Sequence, residues 1–200
     1  MTRPRHLLPH GGPGRAAEGF TLIELMVTLT ILVIVTVLAV PSFQSAFLSN
    51  KLATYTNNFV GSIQFARSEA IKRNAIVRIC RRERAPDGTP TCSGSGTWQK
   101  GWFVWVDASA DGNLQASEIL REQDALSSDY TFCTDASGAC STAAAAYALQ
   151  FKPSGLDTAS YDFILCREAG KAKRKITLMS TARTALTAYS PPASQTNSCP

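Results

Sequence analysis

The sequence predicts an α+β fold, with one long N-terminal α-helix followed by an antiparallel β-sheet domain. Three observations predict it. An apolar run with a single charge occupies Phe20 to Val40. Apolar residues then recur at three- to four-residue steps as far as Ala70, with one eight-residue step from Phe47 to Tyr55. From Ala75 onward the period shifts toward two, with turn-forming residues between short apolar stretches. The chain has 200 residues, 44% of them hydrophobic, which suffices for one modest core.

The apolar run is 21 residues long, and its one charge is Glu24. A helix of that length rises roughly 30 Å, the thickness of a bilayer's hydrocarbon core. Arg3, Arg5 and Arg15 precede it. They keep the N-terminus cytoplasmic and send the rest of the chain across. A secretory signal would have a shorter apolar region and a small-x-small cleavage site, and "VLAVPSF" supplies none. A plain anchor explains the length but not Glu24, because a carboxylate inside a membrane helix is costly and marks a functional position.

Pro41 is expected to kink the helix, which continues to about Arg73. Phe43, Phe47, Tyr55, Phe59, Ile63, Ala66 and Ala70 form its apolar stripe. Gln44, Asn50, Lys51, Asn57, Asn58, Arg67, Glu69 and Lys72 form the polar face. The stripe is read as core, not as a cofactor box. Beyond it, "AIVRICRR", "TWQKGWFVWVD", "EILREQ", "YTFC", "YALQFK", "YDFILC" and "RKITLM" read as short strands. "APDGTP", "KPSGL" and "REAGKAKR" read as turns, and "SGACSTAAAA" as a loop or short helix.

Composition excludes several chemistries. His6 and His10 both precede the apolar run, so a chain trimmed there has no histidine for a catalytic triad or a zinc site. No P-loop motif is present. The six cysteines all follow the run, and none falls in a CxxC pair. An even count at wide spacing points to disulfides in an oxidising compartment. The nearest-neighbour pairing is Cys80–Cys92, Cys133–Cys140 and Cys166–Cys199.

"GFTLIEL" resembles the cleavage and methylation motif of type IV prepilins and type II secretion pseudopilins. The resemblance implies that a prepilin peptidase cuts between Gly19 and Phe20 and that the new amine of Phe20 is methylated. Glu24 becomes the fifth residue of the mature chain, where the family keeps a glutamate. In a fibre of parallel helices its carboxylate meets the Phe20 amine of a neighbouring subunit. The implied organisation is 1–19 as a cleaved leader and 20–40 as the transmembrane helix. Residues 41–74 are its amphipathic continuation, and 75–200 the β domain, in the pilin-like lollipop arrangement. "KGWFVWVDASADGN", "LQFKPSGL" and "ITLMSTART" are similar to the GspH-type minor pseudopilins and FimT-type minor pilins.

Two further segments are candidates for binding. Asp107, Ser109, Asp111, Gly112 and Glu118 match the residue order of an EF-hand calcium loop. A strand precedes them where an EF-hand has a helix, so a polar hairpin loop is the preferred reading. Lys173, Arg174, Lys175 and Arg183 form a basic cluster that could hold DNA phosphates. FimT-type proteins carry Gly-Arg-x-Arg near this point, whereas the stretch here is Ala182-Arg183-Thr184-Ala185. No aromatic interleaves the lysines as a stacking platform, so the expectation is against DNA.

The sequence therefore reads as a non-enzymatic assembly subunit in the inner membrane, with its C-terminal domain in the periplasm. Its expected partners are prepilin peptidase, other major and minor pilins or pseudopilins, and membrane lipid. No cofactor and no small-molecule substrate are expected. A minor pseudopilin of type II secretion is the first reading, and a FimT-like minor pilin the alternative.

Overall fold

The computed structural model describes residues 19–94, 97–136, 139–141, 148–155, 159–167 and 172–189. The helix α1 spans Leu22–Arg73 and does not end at Pro41. The chain divides into two compact units between Ser45 and Ala46, and α1 contributes to both.

The first unit holds the apolar part of α1. Leu22–Ala39 has a mean hydropathy of 2.6, and none of it is buried within the protein. Its threonines are satisfied locally. The Thr28, Thr30 and Thr36 hydroxyls donate to the carbonyls of Leu25, Met26 and Leu32 at 2.8–2.9 Å. Such back-bonding removes the penalty of an unpaired hydroxyl in hydrocarbon.

The second unit packs the remainder of α1 against two antiparallel sheets. Among the described residues, ten strands follow the helix: β1 (Ile76–Arg84), β2 (Pro90–Cys92), β3 (Trp102–Asp107), β4 (Ile119–Gln123), β5 (Tyr130–Ala136), β6 (Ala139–Ser141), β7 (Ala148–Phe151), β8 (Tyr161–Arg167), β9 (Ala172–Leu178) and β10 (Thr184–Ala188). The first sheet has the order β2-β1-β3-β4, with β7 also pairing β1. The second has the order β10-β9-β8-β5-β6. Side chains alternate between the two faces of a strand, so each sheet turns one set inward. Val77, Ile79, Trp102, Val104 and Phe151 come from the first sheet, and Phe132, Phe163, Leu165, Ile176 and Leu178 from the second. Both sets join Leu52, Phe59, Ile63, Ala66 and Ala70 of the helix in one cluster.

Phe59 is the centre of that cluster. Its ring lies 5.0 Å from Trp102 of the first sheet, and 4.8 and 4.9 Å from Phe132 and Phe163 of the second. Trp98, in a short 3₁₀ turn, lies 5.4 Å away, and all four contacts are edge-to-face. That geometry sets the positive rim of one ring on the negative face of another. Two polar pins hold the helix in place. The Trp102 indole N–H donates to Ser62 Oγ at 3.0 Å, and the Ser127 amide donates to Tyr55 Oη at 3.2 Å.

Gly101 opens β3 with φ 92°, and a Cβ there would collide with the Gln123 and Asp124 backbone. Only glycine lets β3 enter so close to the end of β4. Glu122 of β4 closes the strand pair from outside, bonded to Arg82 and Arg84 of β1. Partial burial opposes its charge, but the two guanidiniums prevail and hold its carboxyl below the usual carboxylate range.

Several expectations need correction. Among the described residues the strands form two five-stranded sheets rather than the single sheet region expected from seven segments. β2 and β10 were not expected, and β6 falls inside the stretch read as a loop or short helix. "TWQKGWFVWVD" is not one strand, because Trp98–Lys100 is a 3₁₀ turn and the extended chain begins only after Gly101. Phe47 is 67% exposed and outside the core, whereas Glu69, placed on the polar face, is buried beside Arg73 and Lys72. The Phe43 side chain lies outside the described residues.

Phe59→Ala is expected to cost about 3–5 kcal/mol, the range for an aromatic removed from a packed core. Asn57→Ala on the exposed face should stay within about 0.5 kcal/mol of the parent. Chemical denaturation of the full chain in detergent micelles checks both values.

Candidate processing and assembly site

Gly19 and Phe20 precede α1, and Phe20 is 76% exposed. Thr21 caps the helix: its side-chain oxygen accepts from the Glu24 amide at 3.3 Å, and its carbonyl accepts from the Leu25 amide at 3.1 Å. A Thr followed three residues later by Glu is the capping-box order. "TLIE" therefore carries a local helix-start signal that the sequence reading passed over. Glu24 lies in the first helical turn, where a carboxylate opposes the positive end of the helix dipole. It is exposed in the single chain. Residues 1–18, with the expected leader, Arg3, Arg5, Arg15, His6 and His10, lie outside the described residues.

Cys80 and Cys92 form a disulfide with Cα atoms 5.5 Å apart. The bridge ties β1 to β2 on the face of the first sheet turned away from the helix. There Cys80, Phe103 and Trp105 form a second buried cluster. Arg78 stacks on Trp105 at 5.8 Å, and Arg84 on Phe103 at 5.7 Å. Cys133 and Cys166 are also disulfide-bonded. They share the outer face of the second sheet with Ile164 and Tyr189. The Cys140 side chain and Cys199, their expected partners, lie outside the described residues.

The acidic hairpin after β3 is closed by its own groups. Asp107 is buried, and its Oδ2 accepts from Arg78 Nε at 2.9 Å. Its other oxygen accepts from the Gly112 amide at 3.3 Å. Glu118 accepts from the Ala108 and Gln115 amides, each at 3.2 Å. Asp111 accepts from the Asn113 amide at 2.8 Å, and the Ser109 hydroxyl also bonds it. The Asn113 amide and Ser109 together hold the Asp111 carboxyl below its ordinary range. The carboxylates thus serve as turn acceptors, with the Arg78 guanidinium as their cation. Among the described residues, no group of three His, Cys, Asp or Glu side chains is placed to hold a metal. Sequence reasoning missed Arg78 because it lies 29 residues before Asp107, and only the β1–β3 register brings the two together.

The basic residues do not converge. Lys175 is paired with Asp162 at 2.8 Å. Arg174 lies opposite Ala188, and Arg183 lies beyond the Leu178–Thr184 pair. Four residues of strand, more than roughly 13 Å, separate them. Ala182, where the resemblance expects glycine, is buried at φ 57°, in the left-handed region that glycine favours.

Residues 55–182 match the family described as Type II transport protein GspH. The chain belongs to this GspH family. Residues 14–40 match the prokaryotic N-terminal methylation motif. Among solved structures, the chain is similar to the type IV minor pilin FimU of Pseudomonas aeruginosa. Identity is 20% and the TM-score 0.52, over 72% of this chain and 94% of that one. The minor pseudopilin EpsH of the Vibrio cholerae type II secretion system matches at 12% identity and a TM-score of 0.49. That match covers 72% of this chain and 97% of the other. Among curated proteins, none matches. The FimU likeness shows a pilin-like fold. The family is one of minor pilins and pseudopilins, structural assembly subunits with a membrane anchor and a soluble C-terminal domain.

Asp107→Asn is expected to destabilise the protein by about 2–4 kcal/mol, because it leaves Arg78 without its buried counter-charge. Millimolar Ca²⁺ should leave the melting temperature of the parent chain unchanged. A thermal scan with and without Ca²⁺ checks both outcomes.

Proposed function

We propose that this GspH-family chain is a minor pseudopilin, assembled at or near the tip of a type II secretion pseudopilus and supporting protein secretion. The observation that carries the reading is the pairing of a methylation motif at 14–40 with a GspH match over 55–182. Residues 1–19 act as a leader, removed by prepilin peptidase on the cytoplasmic side. Residues 20–40 cross the inner membrane once, and the β domain lies in the periplasm. The chain performs no catalysis.

Glu24 then sets axial register. In a bundle of apolar helices its carboxylate finds the Phe20 amine of the adjacent subunit, and the two charges cancel. A subunit displaced along the axis leaves both unpaired in a medium of low dielectric, at a cost of about 3–5 kcal/mol. The pair selects one position more than it strengthens the assembly.

A FimT-like role in a type IV pilus is the alternative reading, supported by the similarity in fold to a type IV minor pilin. A deletion strain scored for both protein secretion and DNA transformation separates the two. Loss of secretion alone supports the type II assignment. Loss of transformation with intact secretion overturns it.

Mass spectrometry of the chain from cells with active prepilin peptidase should give a mature N-terminus of N-methyl-Phe20. An intact Met1 terminus there would refute the processing step. Glu24→Ala should leave cleavage and membrane insertion unchanged. Its co-purification with the other minor subunits should fall at least about tenfold, a modest share of the cost of an unpaired charge. Recovery equal to the parent would rule out the register role.

A further inference from the structure

β10 is an edge strand of the second sheet, and its free side is open among the described residues. The Met179 amide donates to the Arg183 carbonyl, and the Tyr189 amide to the Lys173 carbonyl. Residues of an antiparallel strand bond a given neighbour alternately. Arg183, Ala185, Thr187 and Tyr189 therefore turn their backbone groups to β9. Thr184, Leu186 and Ala188 each turn an N–H and a C=O to the free side. Such a row is a template for further pairing, and edges are normally guarded by charge, proline, a bulge or brevity. β4 carries Arg121, Glu122 and a register shift. β2 opens on Pro90, and β2, β6 and β7 have only three or four residues. β10 has five residues, none charged and none proline, in unbroken register with β9.

The side chains along this edge select the occupant. Leu186 lies opposite Ile176, which is buried against the helix, so Thr184, Leu186 and Ala188 face inward. Leu186 is nonetheless 46% exposed. Beside it an open recess of about 350 Å³ reaches Ser49 and Leu52 of α1. Arg174, opposite Ala188, is exposed on this inner face, whereas Lys173, opposite Cys166, is on the outer one. Among the described residues no acid lines the recess, and Arg174 has no ion pair. Ala188 is small, so a long acidic side chain on an added strand can pass over it to Arg174. The matching strand has an aliphatic residue opposite Leu186 and a glutamate opposite Ala188. The chain's own last residues, "SPPASQTNSCP", contain three prolines and no acid, so they do not supply it.

We propose that the free edge of β10 is the docking site for an extended segment of a partner protein, which adds a sixth strand to the second sheet. The added strand runs antiparallel to β10, the commoner pairing. Its aliphatic residue fills the recess between Leu186 and Leu52, and its glutamate pairs with Arg174. This surface lies wholly within the soluble unit and is independent of which fibre the chain joins.

The probe is the peptide acetyl-Thr-Glu-Thr-Ile-Thr-Val-Thr-amide, which in antiparallel register sets its Glu opposite Ala188 and its Ile opposite Leu186. A fluorescent form is titrated into the full chain in detergent micelles, and hydrogen exchange of the segment Met179 to Tyr189 locates it. The expected result is binding that slows exchange of the Thr184, Leu186 and Ala188 amides. Affinity should be at least about fivefold higher than for the peptide with Lys in place of Glu. Arg174→Glu should reverse that preference, a rescue that a merely structural role for Arg174 would not give. Ala188→Pro removes one outward N–H and spares the ladder to β9, so it should weaken binding at least about fivefold with the melting temperature close to that of the parent. No binding at millimolar peptide overturns the proposal, as does binding that leaves the edge amides unprotected. Equal affinity for the two peptides, or a Glu preference that survives Arg174→Glu, also overturns it. So does an edge already protected in the free chain. Protection independent of protein concentration would assign the edge to the chain's own residues, and protection that rises with concentration to a second copy.

Discussion

The soluble unit depends on the packing around one ring. Phe59 touches Trp102 of one sheet and Phe132 and Phe163 of the other, and Trp98 closes the remaining side. No strand pairing joins the two sheets among the described residues. Side chains join them instead: Trp102 lies 6.0 Å from Phe132 across the gap, and Phe59 of the helix touches both. Small residues flank Phe59 along the same helical face, with Ser62, Ala66 and Ala70 all buried. They let the helix approach closely enough for the large rings to interdigitate, as close packing of an interior demands.

Each sheet also carries apolar residues on its outer face, and these need cover. The first sheet receives it from a disulfide and from two arginines stacked on Phe103 and Trp105. The second places Cys133, Cys166 and Tyr189 over Ile164. Arginine suits this task because its stem and flat guanidinium cover apolar surface while the charge reaches water or an acid. The acids are at hand: Asp107 for Arg78 and Glu122 for Arg84. What resembles a calcium loop by residue order is one end of this covering layer.

Legibility from sequence followed the range of the forces involved. The helix was visible because a 3.6-residue period repeats over many turns, and Phe59, Ile63, Ala66 and Ala70 were correctly placed in its core. Tyr161–Arg167 was visible because a short apolar run, "FILC", reads as a strand buried on both faces. β2 and β6 have three residues each, too short to show a period, and exist because β1 and β5 offer edges to pair with. β10, "TALTA", carries little apolar signal and takes its place from a turn at Ala182. The methylation motif was legible because it is contiguous. The Arg78–Asp107 pair was not, since it joins residues far apart in the chain. Phe47 was misassigned because periodicity reports which face a residue lies on, not where the partner for that face ends.

The edge-to-face rings also bear on force. In the proposed assembly, a subunit drawn from a bilayer by its helix is pulled along the helix axis, and the globular part must follow. Tension on the helix then loads its contact with the sheets in shear, parallel to the interface. Phe59 meets four rings at once, so slippage requires all four contacts to open together rather than peel in sequence. Resistance of this kind is a matter of rate, set by the barrier to forced unfolding. A spindle keyed at one point to both halves of its hub turns or moves only with the whole hub, and this packing gives the helix that property.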